Sequence, residues 1–181
     1  IFPSEAFSHG NRMAYVTEIA DSVGNMVSAL FLSDIGKYQQ INAARSLIQL
    51  PGLKKVTKGI SLDGVLHMFG PQWTYQTSDN NGDPSTWPTP KLVDGRRGTL
   101  SVRGVEVAPS GTYAWVASQD GLYFFAGAYP ANPISYYQQQ VWDRIDWNHP
   151  NVVIVRDDPS VKKVYVLAQL GDALEVEVPS D

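Results

Sequence analysis

Residues 104–127 read GVEVAPSGTYAWVASQDGLYFFAG. Three short apolar runs lie in this stretch: VEVA at 105–108, TYAWVA at 112–117 and LYFFA at 122–126. Two turn signals separate them, Pro109-Ser110-Gly111 and Gln119-Asp120-Gly121. Val, Tyr, Trp and Phe fill the runs, and such side chains suit a pleated, half-buried surface. Asp-Gly between such runs is a strong short-range hairpin signal. The stretch is therefore expected to be a three-stranded antiparallel meander of roughly 25 residues, most of one propeller blade in size.

The same pattern recurs outward from it. Gly10 precedes RMAYV at 12–16, Gly64 precedes VLHMF at 65–69, Gly111 precedes TYAWVA, and Ser160 precedes KKVYVL at 162–167. These anchors are 54, 47 and 49 residues apart, near the ~40–50 of four-stranded blade repeats. A third strand is expected after each, at 29–33, 73–77, 122–126 and 173–178. A first strand is expected before three of them, at 55–62, 102–108 and 152–156. Ser-Asp follows the third strand in three units, as Ser33-Asp34, Ser78-Asp79 and Ser180-Asp181. A short carboxylate there accepts backbone N–H bonds and fixes a turn, so these aspartates read as structural.

The expected fold is all-β: four blade-like antiparallel sheets of a β-propeller or partial propeller. The repeat units fall at approximately 1–50, 51–98, 99–148 and 149–181, the last incomplete. They form one domain over 1–181, expected to belong to a longer chain. The segment 41–50, INAARSLIQL, is the longest helix candidate; Ile41, Ala44, Leu47, Ile48 and Leu50 follow a loose 3.6 period up to Pro51-Gly52. It reads as one short helix or as an irregular crossing between units. Residues 80–90 and 127–133 read as loops from their Gly, Pro and Asn content. Trp115, in the alternation Tyr113, Trp115, Ala117, is expected to be buried between neighbouring sheets.

Composition limits the function. The net charge is −4 and the sequence has no Lys/Arg run, which argues against nucleic acid, since phosphate contacts need clustered cations. Cysteine is absent, so disulfides and thiolate metal sites are excluded. No apolar run approaches the ~20 residues of a membrane span, and the N-terminal IFPSEAFSHG has no signal-peptide pattern. The missing initiator Met fits a processed chain or the ordered part of a longer one.

Chemistry-bearing clusters are sparse. His67 sits in a strand-like run and reads as packing, while His9 and His149 fall near turns. Gly95-Arg96-Arg97-Gly98 is a basic turn suited to one anion, or simply a solvated loop. Asp79, Asn81 and Asp83 alternate like calcium ligands, but Pro84 and Pro90 stand where an EF-hand loop needs Gly and Glu; a polar hairpin tip is expected instead. Asp143 and Asp146, flanked by Trp142 and Trp147, are the best acid pair for sugar chemistry. A strand or turn in which Arg144 pairs a neighbouring acid explains them without chemistry, and that reading is preferred. No catalytic residue, cofactor or metal is therefore expected.

Two resemblances follow. Ser78, Asp79, Gly82, Thr86 and Trp87 resemble a stretched Asp-box, the turn repeat of sialidase-like propellers; Ser33, Asp34, Gly36 and Lys37 resemble a shortened one. In that family the motif is structural, and it implies no sialidase activity here. More of the chain resembles the β-propeller structural proteins of tailed bacteriophages and prophages, found in the neck or tail. The residues that carry this likeness are Arg97-Gly98-Thr99-Leu100-Ser101, Tyr113-Ala114-Trp115-Val116-Ala117, Asp120-Gly121-Leu122-Tyr123-Phe124-Phe125, Ile134-Ser135, Trp142-Asp143-Arg144-Ile145 and Lys163-Val164-Tyr165-Val166-Leu167. Gly127-Ala128 stands where Gly-Gly is expected. That resemblance implies a non-enzymatic virion component assembled in the host cytoplasm, with self or other virion subunits as partners. The alternative is a carbohydrate-binding propeller module for host or glycan attachment. The aromatics expected to serve a glycan or an interface are Trp73, Trp87, Tyr129, Tyr136, Tyr137, Trp142 and Trp147.

Overall fold

The computed structural model describes residues 3–20, 22–50, 55–149 and 153–171. They form four antiparallel sheets whose strand order follows the sequence. Sheet 1 contains β1 (Glu5–His9), β2 (Arg12–Ala20), β3 (Met26–Leu32) and, after the four-residue helix α1 (Ala43–Ser46), β4 (Leu47–Gln49). Sheet 2 contains β5 (Lys58–Leu62), β6 (Val65–Gly70), β7 (Trp73–Ser78) and β8 (Lys91–Asp94). Sheet 3 contains β9 (Val105–Val107), β10 (Ala114–Ser118) and β11 (Gly121–Phe125). A helix α2 (Gln139–Trp142) leads to sheet 4, the pair β12 (Ile154–Asp158) and β13 (Lys163–Leu167). The all-β expectation and the meander at 104–127 are both observed.

Several elements differ from the sequence reading. The segment 41–50 is neither one helix nor a plain crossing. Asn42 caps the short helix by accepting the Ala44 amide on its side chain, and the chain then extends into β4, paired with β3. Hydrogen bonding to an open sheet edge outweighs the loose helical period. β1 and β8 were not expected: Glu5–His9 carries little apolar signal and Lys91–Asp94 is a short edge strand. The expected third strand at 173–178, Ser180-Asp181 and the start of the 152–156 strand lie outside the described residues.

The first hairpin of each sheet sets a shared register. It closes on His9 and Arg12 in sheet 1, Leu62 and Val65 in sheet 2, and Asp158 and Lys163 in sheet 4. In sheet 3 the Ala108 amide donates to the Tyr113 carbonyl. A residue with positive φ stands in every one of these turns: Gly10 at 54°, Gly64 at 76°, Gly111 at 71° and Lys162 at 54°. The repeat therefore aligns on Lys162 in the fourth unit rather than on Ser160.

This register decides what faces what, because successive strand residues point to opposite faces. The second and fourth residues after the closing residue of each second strand look toward the following sheet, and the first and third look back. Ala14 and Val16 of sheet 1 share a core with Leu66 and Met68 of sheet 2. Phe69 of sheet 2 shares one with Ala114 and Val116 of sheet 3. Ala117 of sheet 3 lies in a third core, joined by Trp115 and by Val164 and Val166 of sheet 4. The first strands of successive sheets adjoin one another, and at one such junction the Phe7 ring of β1 occupies the space that a Cβ on Gly59 of β5 would need. Three apolar layers thus hold four sheets face to face.

Candidate functional site

The seven aromatics divide by environment. Trp73 and Trp87 are buried in the core between sheets 1 and 2, and Trp142 is buried beside Ala117 and Val155. Their indole faces are unavailable as sugar platforms, which corrects that expectation for these three. Trp87 donates its Nε1–H to the Gly82 carbonyl at 3.3 Å, and Trp142 donates to the Ser118 carbonyl at 3.0 Å. Trp87 was expected in a loop and Trp142 in a strand or turn, yet each is an anchor that ties its segment to a core. Trp147 is half-buried against the third core. Tyr136 and Tyr137 are exposed, at 60% and 95%.

Tyr129 belongs to a clamp centred on Arg97. Thr74 donates its hydroxyl proton to the Arg97 carbonyl at 2.9 Å, so Tyr129, 2.8 Å from the same Oγ1, must be the donor in that pair. The Arg97 guanidinium donates to the carbonyls of Pro130 and Ala131 at 3.0 and 3.1 Å and reaches Asp120 at 3.4 Å. It also lies over the ring of Tyr123, 4.7 Å from the centroid. Tyr123 donates to Asp120 at 2.7 Å, and burial followed by that bond pushes its pKa up to about 12. Burial likewise raises Tyr129. Arg97 of the basic turn at 95–98 is thus committed to fixing loop 127–133 between sheets 2 and 3.

Asp79, Asp143 and Asp146 are also committed. Asp79 accepts the Asn81 amide at 2.6 Å, and Asn80 accepts the Gly82 amide at 3.0 Å. This is the turn-fixing role expected of Asp79. Arg12, buried beside this loop, donates to the carbonyls of Ser33 and Gly82 and joins it to sheet 1. Of the two readings of residues 141–147, the structure has the turn and not the strand. These residues form the end of α2 and the turn after it, with Trp142 and Ile145 buried three residues apart, and the acids pair with other partners than Arg144. Asp143 accepts from Gln139 at 2.7 Å. Asp146 accepts from His149 at 2.7 Å and from the Asn148 amide at 2.9 Å, bonds that lower its pKa. Among the described residues, no three His, Cys, Asp or Glu side chains gather as a metal site.

Two features were not read from the sequence. The first is a buried histidine pair. His9 lies 2.8 Å from Ser61 Oγ through Nδ1, faces Asp79 at 3.9 Å through Nε2, and meets the Trp87 ring at 5.5 Å. His67 meets Phe125 edge-on at 5.0 Å, and its buried Nδ1 makes no hydrogen bond. Burial lowers both pKa values, that of His67 to about 4 with a further contribution from His9. The apolar run VLHMF around His67 signals its burial, whereas nothing near His9 in EAFSH does.

The second feature is a groove of about 870 Å³ between sheets 3 and 4. Trp115, Val141, Trp142, Val164 and Val166 line it, with Ser135, Gln138, Asp157 and Lys162 among its polar members. Trp115 is half-buried here rather than enclosed, because Val164 and Val166 cover only part of the indole. Its Nε1 and Asp157 Oδ2 are covered from solvent and make no hydrogen bond.

Compared with known proteins, the chain matches no family model and no curated sequence. No helix among the described residues is long and apolar enough to cross a membrane.

Proposed function

We propose that this chain is a non-enzymatic structural component of a phage-like particle, built as part of a β-propeller and acting through protein interfaces. The observation that carries the interface reading is the outer face of sheet 4. Tyr165 and Leu167 occupy the register positions filled by buried Ala14 and Val16, buried His67 and Phe69, and half-buried Trp115 and buried Ala117 at the earlier junctions, yet they are 46% and 56% exposed. Exposed Tyr136, Tyr137, Ile134 and Val141 add apolar surface around α2. Apolar surface of this extent commonly marks a contact site. Asp79, Arg97, Asp143 and Asp146, which first suggested chemistry, are engaged in turns and clamps, which supports a scaffold over a catalyst. The particle assignment rests on the motif resemblance. In sheet 3, Ile134 donates its amide to the Leu122 carbonyl and Ser135 Oγ accepts the Leu122 amide, so the Ile134-Ser135 motif seats itself on the edge of the Leu122–Phe125 motif. Mass spectrometry of density-banded particles from the producing cells tests the assignment. Stoichiometric recovery supports it, and recovery only in the soluble fraction opposes it.

The groove favours carbohydrate binding as a second reading. Trp115 offers an apolar ring, and Asp157, Gln138 and Lys162 supply the mixed polarity that sugar hydroxyls need. Glycan-array binding lost in Trp115→Ala would move the function to this reading. An array with no binding would leave assembly as the account.

A further inference from the structure

We infer that Asn81-Gly82 is a self-modification site, where the Asn81 amide becomes a carboxylate and the loop around it is released from the core between sheets 1 and 2. This stands independently of the assembly reading. The chemistry is intramolecular. Hydroxide takes the Gly82 amide proton, and the backbone nitrogen attacks Asn81 Cγ. A C–N bond forms there, the Cγ–Nδ2 bond breaks, and ammonia leaves with a proton from water, which restores the hydroxide. The five-membered imide then takes up one water and reopens at either carbonyl. The product at position 81 is an aspartyl or an isoaspartyl residue.

Sequence and structure converge on this bond. Every asparagine of the chain except Asn81 precedes a residue with a side chain. A side chain on the attacking residue crowds Cγ, and glycine has none. The fold itself demands the pair. Asn81 stands in the left-handed region, at φ 60°, where Asn is better tolerated than most residues. A Cβ at position 82 would lie 3.0 Å from Asn80 Oδ1 and 3.1 Å from Thr86 Oγ1, contacts that glycine avoids. Asn81 is exposed, so water and hydroxide reach it. One hydrogen bond restrains the reaction. The Gly82 amide donates to Asn80 Oδ1 at 3.0 Å, and the Asn80 side chain is held in turn by its donation to Thr86. A bond from the N–H favours the protonated nitrogen over the attacking anion.

Two buried side chains depend on the Gly82 carbonyl. It accepts from Arg12 at 3.2 Å and from Trp87 Nε1 at 3.3 Å. An isoaspartyl link puts one more carbon into the main chain, lengthening the path by about one C–C bond, ~1.5 Å. The carbonyl then leaves its two donors, and a buried donor without an acceptor is costly. The aspartyl product keeps the main chain and adds a carboxylate to a cleft that Asn81 shares with Asp79 and Arg12. The isoaspartyl product is therefore the one that releases the loop.

The purified protein is incubated at mildly alkaline pH and followed by peptide mapping, with fragmentation that distinguishes aspartyl from isoaspartyl links. Conversion at Asn81 is expected to run at least several-fold faster than at Asn11 and Asn25, which are also exposed, and to rise in proportion to hydroxide. Asn80→Ala, which frees the Gly82 amide, should speed it several-fold further, and Asn81→Gln should abolish it. Conversion at Asn81 no faster than at Asn11 and Asn25 would overturn the inference, and no acceleration in Asn80→Ala would remove the hydrogen-bond restraint. The isoaspartyl form is then separated by ion exchange and compared in urea with Asn81→Asp, which supplies the aspartyl product alone. A lower unfolding midpoint for the isoaspartyl form is expected. Equal midpoints would show that the loop stays anchored and would overturn its release.

Discussion

The guanidinium of Arg97 lies 4.7 Å over the ring of Tyr123 while donating to the carbonyls of Pro130 and Ala131. One side chain from the end of sheet 2 therefore fixes a loop that leaves sheet 3. The planar fork serves both stacking and multiple donation, which an ammonium cannot copy. Arg97→Ala is expected to cost about 2–3 kcal/mol, combining a cation–π contact with lost charged hydrogen bonds. Arg97→Lys should lose most of the same amount. Urea denaturation of both variants measures this, and a near-neutral Arg97→Lys would show that charge alone holds the loop.

Acid should weaken the fold through the buried histidines. His67 has a folded pKa of about 4 against 6.5 in the unfolded chain, so the unfolded state binds the extra proton first as pH falls. Stability is therefore full above about pH 6.5 and lost progressively from there down to pH 4, by about 3 kcal/mol for this one group at pH 4. His9, also lowered, adds in the same direction, opposed in part by Asp79 facing it. His67→Leu should shrink the difference in unfolding free energy between pH 7 and pH 4 by roughly that amount. An unchanged pH profile in the variant would show that His67 does not carry the effect.

How far the sequence reveals this structure depends on the signal each part carries. The meander at 104–127 was legible because Asp-Gly and Pro-Ser-Gly punctuate runs of Tyr, Val, Trp and Phe. β4 was not, because Leu47 and Ile48 satisfy a helical period as readily as an extended one, and only the open edge of β3 decides between them. Trp87 illustrates the limit for sites. An aromatic near Gly, Pro and Asn reads as a loop platform, whereas its burial depends on residues such as His9 and Leu66 that arrive from elsewhere in the chain. The Arg97 clamp depends on a loop more than 30 residues downstream, and no local spacing announces it.

Trp115 gives a graded test of packing. Because it is half-buried and its Nε1 makes no hydrogen bond, Trp115→Ala should cost about 1–3 kcal/mol, less than the ~3–5 of an enclosed aromatic. Trp115→Phe should cost under about 1 kcal/mol, since no indole hydrogen bond is lost. Thermal or urea unfolding checks both. A cost above about 4 kcal/mol for the alanine variant would mean that the groove closes over the ring in solution.

Lys162 is in the left-handed region immediately before the closing residue of its hairpin, as Gly64 is in sheet 2. A side chain there costs about 1 kcal/mol relative to glycine. Lys162→Gly is therefore expected to stabilise the protein by several tenths to about 1 kcal/mol, while Gly64→Ala should destabilise it by a similar amount. Paired denaturation curves decide the matter, and destabilisation by Lys162→Gly would contradict the shared-turn alignment of sheets 2 and 4.

The claim that this chain works through interfaces is tested most directly by sedimentation velocity on the purified protein over a wide concentration range. The uncovered outer face of sheet 4, with Tyr165 and Leu167 exposed, predicts a sedimentation coefficient that rises through the micromolar range toward a defined oligomer. A single monomeric species persisting to high micromolar concentration would contradict the account.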